Sequence, residues 1–409
     1  MTRSAPRSRA RTGALSVLLS ILVVALLVPT ALLFAQTWRT EGDRAKATER
    51  ELDGVAYLRS LQQVAFAVAD AQSAAVSGRP APRDAIVVAV QQADATDAKL
   101  GGILRTTQRW TEIRSRMETL RDTPATADRA QALADYRELG DLVLALYAKV
   151  RDESGLVHDP DGDAFHLQNS AAGELPVAVI SAGRLTDVAA LAKAASSTPV
   201  AGQTPQQQAQ RQLKLISQLA ADGATLQQAS TRLVNDLRSA VDSTESRTLG
   251  SNLLSRLDRY QRSADTMAAI LAAATTAASG TPTPSNDQSI LGVARGELQA
   301  AAGELYNTIL NEVDRLLNAR GDEIDQVRLR AVGAAGAAAL IAIGLFLAYF
   351  LGGRPRRVRP TGPFPEGGPG ALATDGATSW PTVAPITGAP YGGAPKENAT
   401  QWERSGAAR

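Results

Sequence analysis

The sequence predicts an all-α protein: two transmembrane helices flanking a long antiparallel helical bundle of about six helices, in one bundle or two stacked ones, with a disordered C-terminal tail. Three observations lead there. Alanine, leucine, glutamine and arginine dominate, and only 4% of the 409 residues are aromatic, which favours helix because unbranched side chains lose little rotamer freedom in it. Two long stretches carry no charge, Gly13 to Ala35 and Ala331 to Leu351. Between them, apolar residues recur at alternating spacings of three and four, the pattern of a helix with one buried stripe.

Residues 1–12 carry Arg3, Arg7, Arg9 and Arg11 and no acid. The uncharged segment 13–35 that follows is about 23 residues long, enough to cross a hydrocarbon core of about 30 Å as helix. Its apolar run exceeds that of a secretory signal, so it reads as a retained anchor. The second span, 331–352, precedes Arg354, Arg356, Arg357 and Arg359. Basic clusters thus lie on the outer flank of both spans. The positive-inside rule then places both termini in the cytoplasm and residues 36–330 outside, in a two-span protein of the cell membrane.

The first outer helix continues from the span to about Gly78, with Leu52, Val55, Leu58, Leu61, Ala65 and Val68 on its stripe, and Pro80 and Pro82 end it. The second covers about Arg83 to Arg121, with Ile103, Leu104 and Trp110 inward. The third covers about Ala127 to Glu153, its seam Tyr136, Leu139, Val143, Leu146 and Val150. The fourth runs from about Asp163 to Ala195 and kinks at Pro176. A fifth stretch, about Pro205 to Ala277, carries Leu215, Leu219, Leu226, Leu233 and Leu237 and would be some 110 Å long unbroken, so a break is expected near Asp242–Gly250, with Gly250 a candidate. The last helix starts near Ser285, carries Leu291, Leu298 and Leu305 seven apart and then Ile309, Val313 and Leu316, and enters the second span without a proline. Residues 353–409 are rich in Gly, Pro, Ala and Thr, have no apolar periodicity, and read as disordered.

The composition excludes several functions. Net charge is +2, so no bulk attraction to nucleic acid exists. Without cysteine, a thiolate metal site, a cysteine nucleophile and a disulfide framework are ruled out, and two histidines in the whole chain argue against a multi-histidine metal site. No phosphate-binding glycine loop, nucleophile elbow or HExxH motif occurs. No cofactor, metal or catalytic residue is expected, and the chain reads as a non-enzyme.

One stretch gathers acids, both histidines, a proline and glycines: Asp152 to Leu167, DESGLVHDPDGDAFHL. Asp159, Asp161 and Asp163 open like a calcium loop. The sixth and twelfth positions, however, are Ala164 and Ser170 rather than Gly and Glu. The simpler expectation is a turn, with Pro160 ending the third helix and Asp161 or Asp163 capping the fourth. His158 and His166 are separated by Pro160 and Gly162, so their spacing carries no ligand meaning. Arg59, Arg105, Arg109, Arg151 and Arg184 sit on helices that could face the bundle interior, where an arginine needs a carboxylate or a bound anion.

Val150 to Pro176, VRDESGLVHDPDGDAFHLQNSAAGELP, resembles a segment of the extracytoplasmic helical-bundle sensor domains of bacterial chemoreceptors and sensor histidine kinases. The resemblance rests on Asp152, Ser154, Leu156, Asp159, Pro160, Asp161, Asp163, Leu167, Leu175, Pro176 and Arg184. Phe165 and His166 stand where that family often has tyrosine. The two-span, all-helical layout extends it over residues 13–352, and the first span also looks like that of actinobacterial sensor kinases. The resemblance implies a sensor-like domain, a homodimer, that perceives a small ligand or partner. It would pass the signal through its spans to a separate membrane or cytoplasmic signalling partner. Arg151, Asp159, Asp161, Asp163, His166 and Arg184 are the expected ligand-binding residues. The family's linker (HAMP) and output domains are absent from the sequence. The competing expectations are a scaffolding protein of the cell envelope and a sensor kinase remnant without its catalytic half.

Overall fold

The structure, a computed structural model, describes residues 9–123, 128–157, 161–197, 204–244, 246, 248–277 and 287–352. Residues 1–352 form one compact unit, and no strand occurs among the described residues. The helices are α1 (Arg9–Val76), α2 (Arg83–Leu100), α3 (Thr107–Asp122), α4 (Arg129–Ser154), α5 (Gly162–Asn169), a π-helical turn (Ser170–Glu174), α6 (Leu175–Ser197), α7 (Pro205–Ser243), α8 (Leu249–Ala277) and α9 (Asp287–Gly352).

The central packing unit is α1, α4, α6 and α9, each in contact with at least two of the others. The helices α2 and α3 add to the α1–α4 side, and α7 and α8 to the α6–α9 side. The expected stripes become the core. Val55, Leu58, Leu61, Ala65 and Val68 on α1 are buried, as are Tyr136, Leu139, Val143, Leu146 and Val150 on α4, and Leu298, Leu305, Ile309 and Val313 on α9. Tyr147 and Tyr306 hydrogen-bond to each other inside this core, and the Tyr306 hydroxyl donates to the Leu58 carbonyl at 3.3 Å, so these buried phenols remain satisfied.

Polar pairs bind α1 to α9 along their length. Glu41 accepts through its carbonyl from Arg328 at 3.2 Å, and Glu51 pairs with Arg320 at 3.0 Å. Arg59 donates to Asn311 at 3.0 Å and pairs with Asp314. Asp70 accepts from Arg295 at 2.8 Å. Positions rise along α1 as they fall along α9.

Three helical stretches among the described residues are long and apolar enough to cross a membrane: Ile21–Val76, Gly162–Ala195 and Ile290–Leu347. Their environments differ. In the most apolar windows of the first and third, 0% and 6% is buried within the protein, against 72% for the second.

Several boundaries depart from the expected ones. The expected second helix is two. Gly101 and Gly102 follow Leu100, and α3 restarts at Thr107, because paired glycines weaken a helix interior. Asp97 stabilises the break by accepting from the Thr106 hydroxyl at 2.8 Å and the Tyr57 hydroxyl at 2.7 Å. Leu104 is buried as expected, but Ile103 in the turn is 53% exposed. The end of α4 is set by Gly155, left-handed at φ +85°, five residues before Pro160, because glycine adopts that backbone without a Cβ penalty. The irregularity expected at Pro176 falls just before it. Pro176 has no N–H to return to residue 172, and the chain widens into the π-helical turn, where Leu175 N–H donates to the Ser170 carbonyl. The fifth stretch breaks at residues 244–248, and Gly250, the residue suspected of causing it, lies inside α8. Thr204 caps α7 reciprocally with Gln207, and Pro205 takes the first helical position.

Candidate functional site

The described residues of the acidic stretch, 152–157 and 161–167, lie at the end of α4, in the turn that follows it and at the start of α5. Gly155 turns the chain out of α4, and α5 begins at Gly162 with Asp161 at its cap position. Asp161 makes no capping hydrogen bond there; it reaches across to Arg320 on α9 at 2.6 Å, and Arg320 also holds Glu51 of α1. Asp163 accepts from the Thr244 hydroxyl, at the α7–α8 turn, at 2.8 Å. His166 lies with Nδ1 3.2 Å from Asp236 on α7, and the same carboxylate accepts from Asn169 at 2.7 Å. Three residues of one short helix thus engage α9, α7 and the α7–α8 turn separately. Of the two expected caps, Asp161 is drawn off to Arg320, while Asp163 accepts from the Ala164 N–H at 2.8 Å as well as from Thr244. No group of three metal-ligating side chains occurs among the described residues. Asp159, with His158 and Pro160, lies outside the described residues.

Of the two arginines of the expected set, Arg151 borders that brace: its guanidinium and the Asn169 carboxamide oxygen each lie 3.6 Å from where a Cβ on Gly173 would be, and it and Asp236 both act on the Glu174 carboxyl, whereas Arg184 bonds elsewhere. Arg151, at the end of α4, lies 3.5 Å from Asp152. Arg184 is in the middle of α6. It donates to the Arg137 carbonyl at 2.7 Å and to Asp141 at 2.7 Å, passing over Gly140, where a Cβ would sit 2.8 Å from its guanidinium. Arg137 pairs with Asp222 of α7. Burial raises the Asp222 carboxyl, and Arg137 and Arg184 oppose that rise. Arg59 pairs with Asp314, Arg105 is 3.9 Å from Glu153, and Arg109 donates to the Ala145 carbonyl at 2.9 Å. Each of these five arginines has a protein partner, but Arg105 and Arg109 are exposed, and the cost of an unpaired buried charge bears on Arg184, whose side chain is largely covered.

Deeper in the bundle, Asp187 of α6 is 3% exposed. It accepts from the Gln72 amide of α1 at 2.8 Å. Burial pushes its carboxyl up to about 6 in spite of Gln72, Arg295, Ser73 and Arg79, which hold it down.

A concavity of about 420 Å³ lies elsewhere, between α7 and α8. Leu185 of α6, Leu226, Val234 and Tyr260 supply its apolar wall, and Gln227, Asn235, Arg238, Gln261 and Asp265 its polar one. The Tyr260 hydroxyl shares a hydrogen bond of 2.8 Å with Ser230, and burial pushes it up to about 12, so it stays protonated. An apolar wall with a few polar groups of both charges suits a small polar molecule. It offers no activated nucleophile. The sequence stripe of α7 contained Leu226, Leu233 and Leu237, but nothing in it signalled that α7 and α8 part above their turn. No protein-family model, curated protein or solved structure matches the chain.

Proposed function

We propose that the chain is a membrane-anchored, sensor-like protein. In this reading α1 and α9 cross the membrane, and the antiparallel bundle between them stands outside. A small ligand or partner perceived there would be relayed through the two spans to a separate output protein. The observation that carries the reading is the continuity of α1 and α9. Each runs unbroken from an exposed apolar window into the packed core, and the two are tied by pairs at Glu41, Glu51, Arg59 and Asp70. A change of packing in the core must move both helices together, because close-packed interfaces shift between discrete arrangements rather than deforming smoothly. The second apolar stretch, Gly162–Ala195, fits as a core segment. Its window is 72% buried, and a helix apolar on all sides belongs either in lipid or at the centre of a bundle. The α7–α8 groove is where a ligand would reach α6 and, through α8, α9.

The chain has no native cysteine, which makes the test direct. Cysteines at Trp38 and Arg328, whose guanidinium lies 5.6 Å from the indole centre, report the spacing of the two helices beside their apolar windows. Small molecules would first be screened by thermal shift on the full chain in detergent. A molecule that raises the melting temperature is expected to change the 38–328 disulfide cross-linking rate. An unchanged rate with every stabilising molecule refutes signalling through the spans. It would favour the rigid post suggested by the cross-braces on α5.

A further inference from the structure

The groove between α7 and α8 carries its two charged side chains, Arg238 and Asp265, toward opposite ends. The two helices are antiparallel. Beside their turn, a Cβ on Gly250 would lie 3.4 Å from Val241. Farther up, the Ser230 and Tyr260 hydroxyls share their hydrogen bond of 2.8 Å, which marks the middle of the groove. At about 1.5 Å of rise per residue, Arg238 lies about 12 Å from that level toward the turn, and Asp265 about 8 Å away from it. Side chains on a helix lean toward its N-terminus. Arg238 on α7 and Asp265 on α8 therefore both lean back toward the middle, which leaves about 10 to 15 Å between the two charges.

Neither charge is committed within the chain. Arg238 and Asp265 are exposed, and neither makes a hydrogen bond or ion pair among the described residues. Asp242, on the next turn of α7, forms no ion pair with Arg238. The other charges nearby are paired among themselves: Asp258 with Arg262, Glu174 with Arg232, and Asp236 with His166 and Asn169. Between Arg238 and Asp265 lie Asn235 and Gln227 of α7 and Gln261 of α8. Their side-chain amides have no hydrogen-bond partner among the described residues, and each offers both a donor and an acceptor. The Ser230–Tyr260 bond uses one of its two hydroxyl hydrogens and leaves the other to donate. Beneath these groups Leu185, Leu226 and Val234 are buried and form an apolar floor.

We propose that this groove binds a short peptide of about three or four residues with both termini free, extended along α7 and α8. Its carboxylate would sit on Arg238 and its ammonium on Asp265. Such a peptide is the ligand of the sensor reading above, on which this assignment rests. At about 3.3 Å per extended residue, three or four residues span the gap between the charges. A peptide main chain carries donors and acceptors along its length, which the intervening amides and hydroxyls match. A single amino acid is too short to reach both charges. A polyamine or a dicarboxylate would set a like charge against one end of the groove. The volume of about 420 Å³ falls within the range of small-molecule sites.

The test is titration calorimetry of the full chain in detergent with trialanine, tetraalanine and trileucine, and with their N-acetylated and C-amidated forms. Saturable one-to-one binding of free peptide is expected. Each blocked form, and free alanine or leucine, should bind at least about tenfold more weakly, because each lacks one charge-assisted contact. Arg238→Ala and Asp265→Ala change exposed side chains and should keep the wild-type melting temperature. R238A should bind free and C-amidated peptide equally, and D265A free and N-acetylated peptide equally, each at least about tenfold below wild type. No binding of any of the three free peptides, binding indifferent to blocked termini, or wild-type affinity in either variant would overturn the site. The sensor reading fails separately. Peptide binding of the expected pattern with an unchanged 38–328 cross-linking rate supports the site and counts against relay through the spans. A rate changed by some other molecule, with no peptide bound, overturns the site and keeps the sensor.

Discussion

The chain contains apolar helices of two kinds, and α6 differs instructively from the windows of α1 and α9. By length and composition all three read as membrane spans. The α6 window is mostly covered by other helices, whereas Leu32 on α1 and Leu340 on α9 are each about two-thirds exposed or more. The polar residues differ too. Gly13 to Ala35 and Ala331 to Leu351 carry no charge. Within or beside its apolar run α6 carries Arg184, Thr186 and Asp187, and each is bonded: Arg184 to Arg137 and Asp141, Thr186 to backbone carbonyls, Asp187 to Gln72. Hydropathy measures only aversion to water. What an apolar helix packs against is decided by whether its few polar groups have partners waiting on neighbouring helices.

The sharpest way to break this contrast is to place one charge in each kind of helix. Val188→Asp, at a fully buried position of α6, leaves an uncompensated charge in the core. It is expected to cost more than about 4 kcal/mol and abolish cooperative thermal unfolding seen by circular dichroism. Leu340→Asp should leave the melting temperature of the purified chain within a degree or two. Its effect should appear as reduced membrane insertion in cells, from a penalty of about 3 kcal/mol at a span centre.

Asp187 tests the polar half of the contrast through pH. Its folded-state pKa, about 6, is above its ordinary 3.8. Between those values the folded state holds a proton that the unfolded chain has released. Stability from this group therefore falls as pH rises through that window, and levels off above it. The full difference is about 3 kcal/mol. Asp187→Asn can still accept from Gln72, so the variant should gain in melting temperature over wild type at pH 7.5 by more than it does at pH 4. An equal difference at both would show that burial does not penalise the carboxylate.

Arg184→Ala removes two charge-assisted bonds at a mostly buried position. It should cost about 2 kcal/mol in chemical denaturation, whereas Arg259→Ala, which breaks an exposed pair with Glu304 at 2.5 Å, should cost under about 1 kcal/mol. The smallest effect belongs to Ser170→Ala in the π-helical turn. The Ser170 hydroxyl is buried without a hydrogen bond, so its removal should be neutral or stabilise by up to about 1 kcal/mol.

The helices were legible because burial imposes a period. Tyr136 to Val150 and Leu298 to Val313 could be read as stripes, and they form the core. Breaks were less legible, because several residues compete to end a helix. Pro160 and Gly250 were the visible candidates, yet Gly155 and residues 244–248 end the helices. Gly101–Gly102 was a readable break hidden by the apolar pattern on either side. Partners were the least legible. Nothing local to Asp161, Asp163 or His166 indicates that they reach Arg320, Thr244 and Asp236, which lie 70 to 159 residues away in the sequence.

The account's central claim is that α1 and α9 cross the membrane while α6 and the rest of the bundle stand outside it. The absence of native cysteine permits single-cysteine labelling of intact cells with a membrane-impermeant maleimide. The account predicts that T111C and S251C, at exposed positions of α3 and α8, are labelled without permeabilisation, and that S4C and S379C, near the two ends of the chain, are labelled only after it. Labelling of S379C in intact cells, or protection of S251C until permeabilisation, would contradict it.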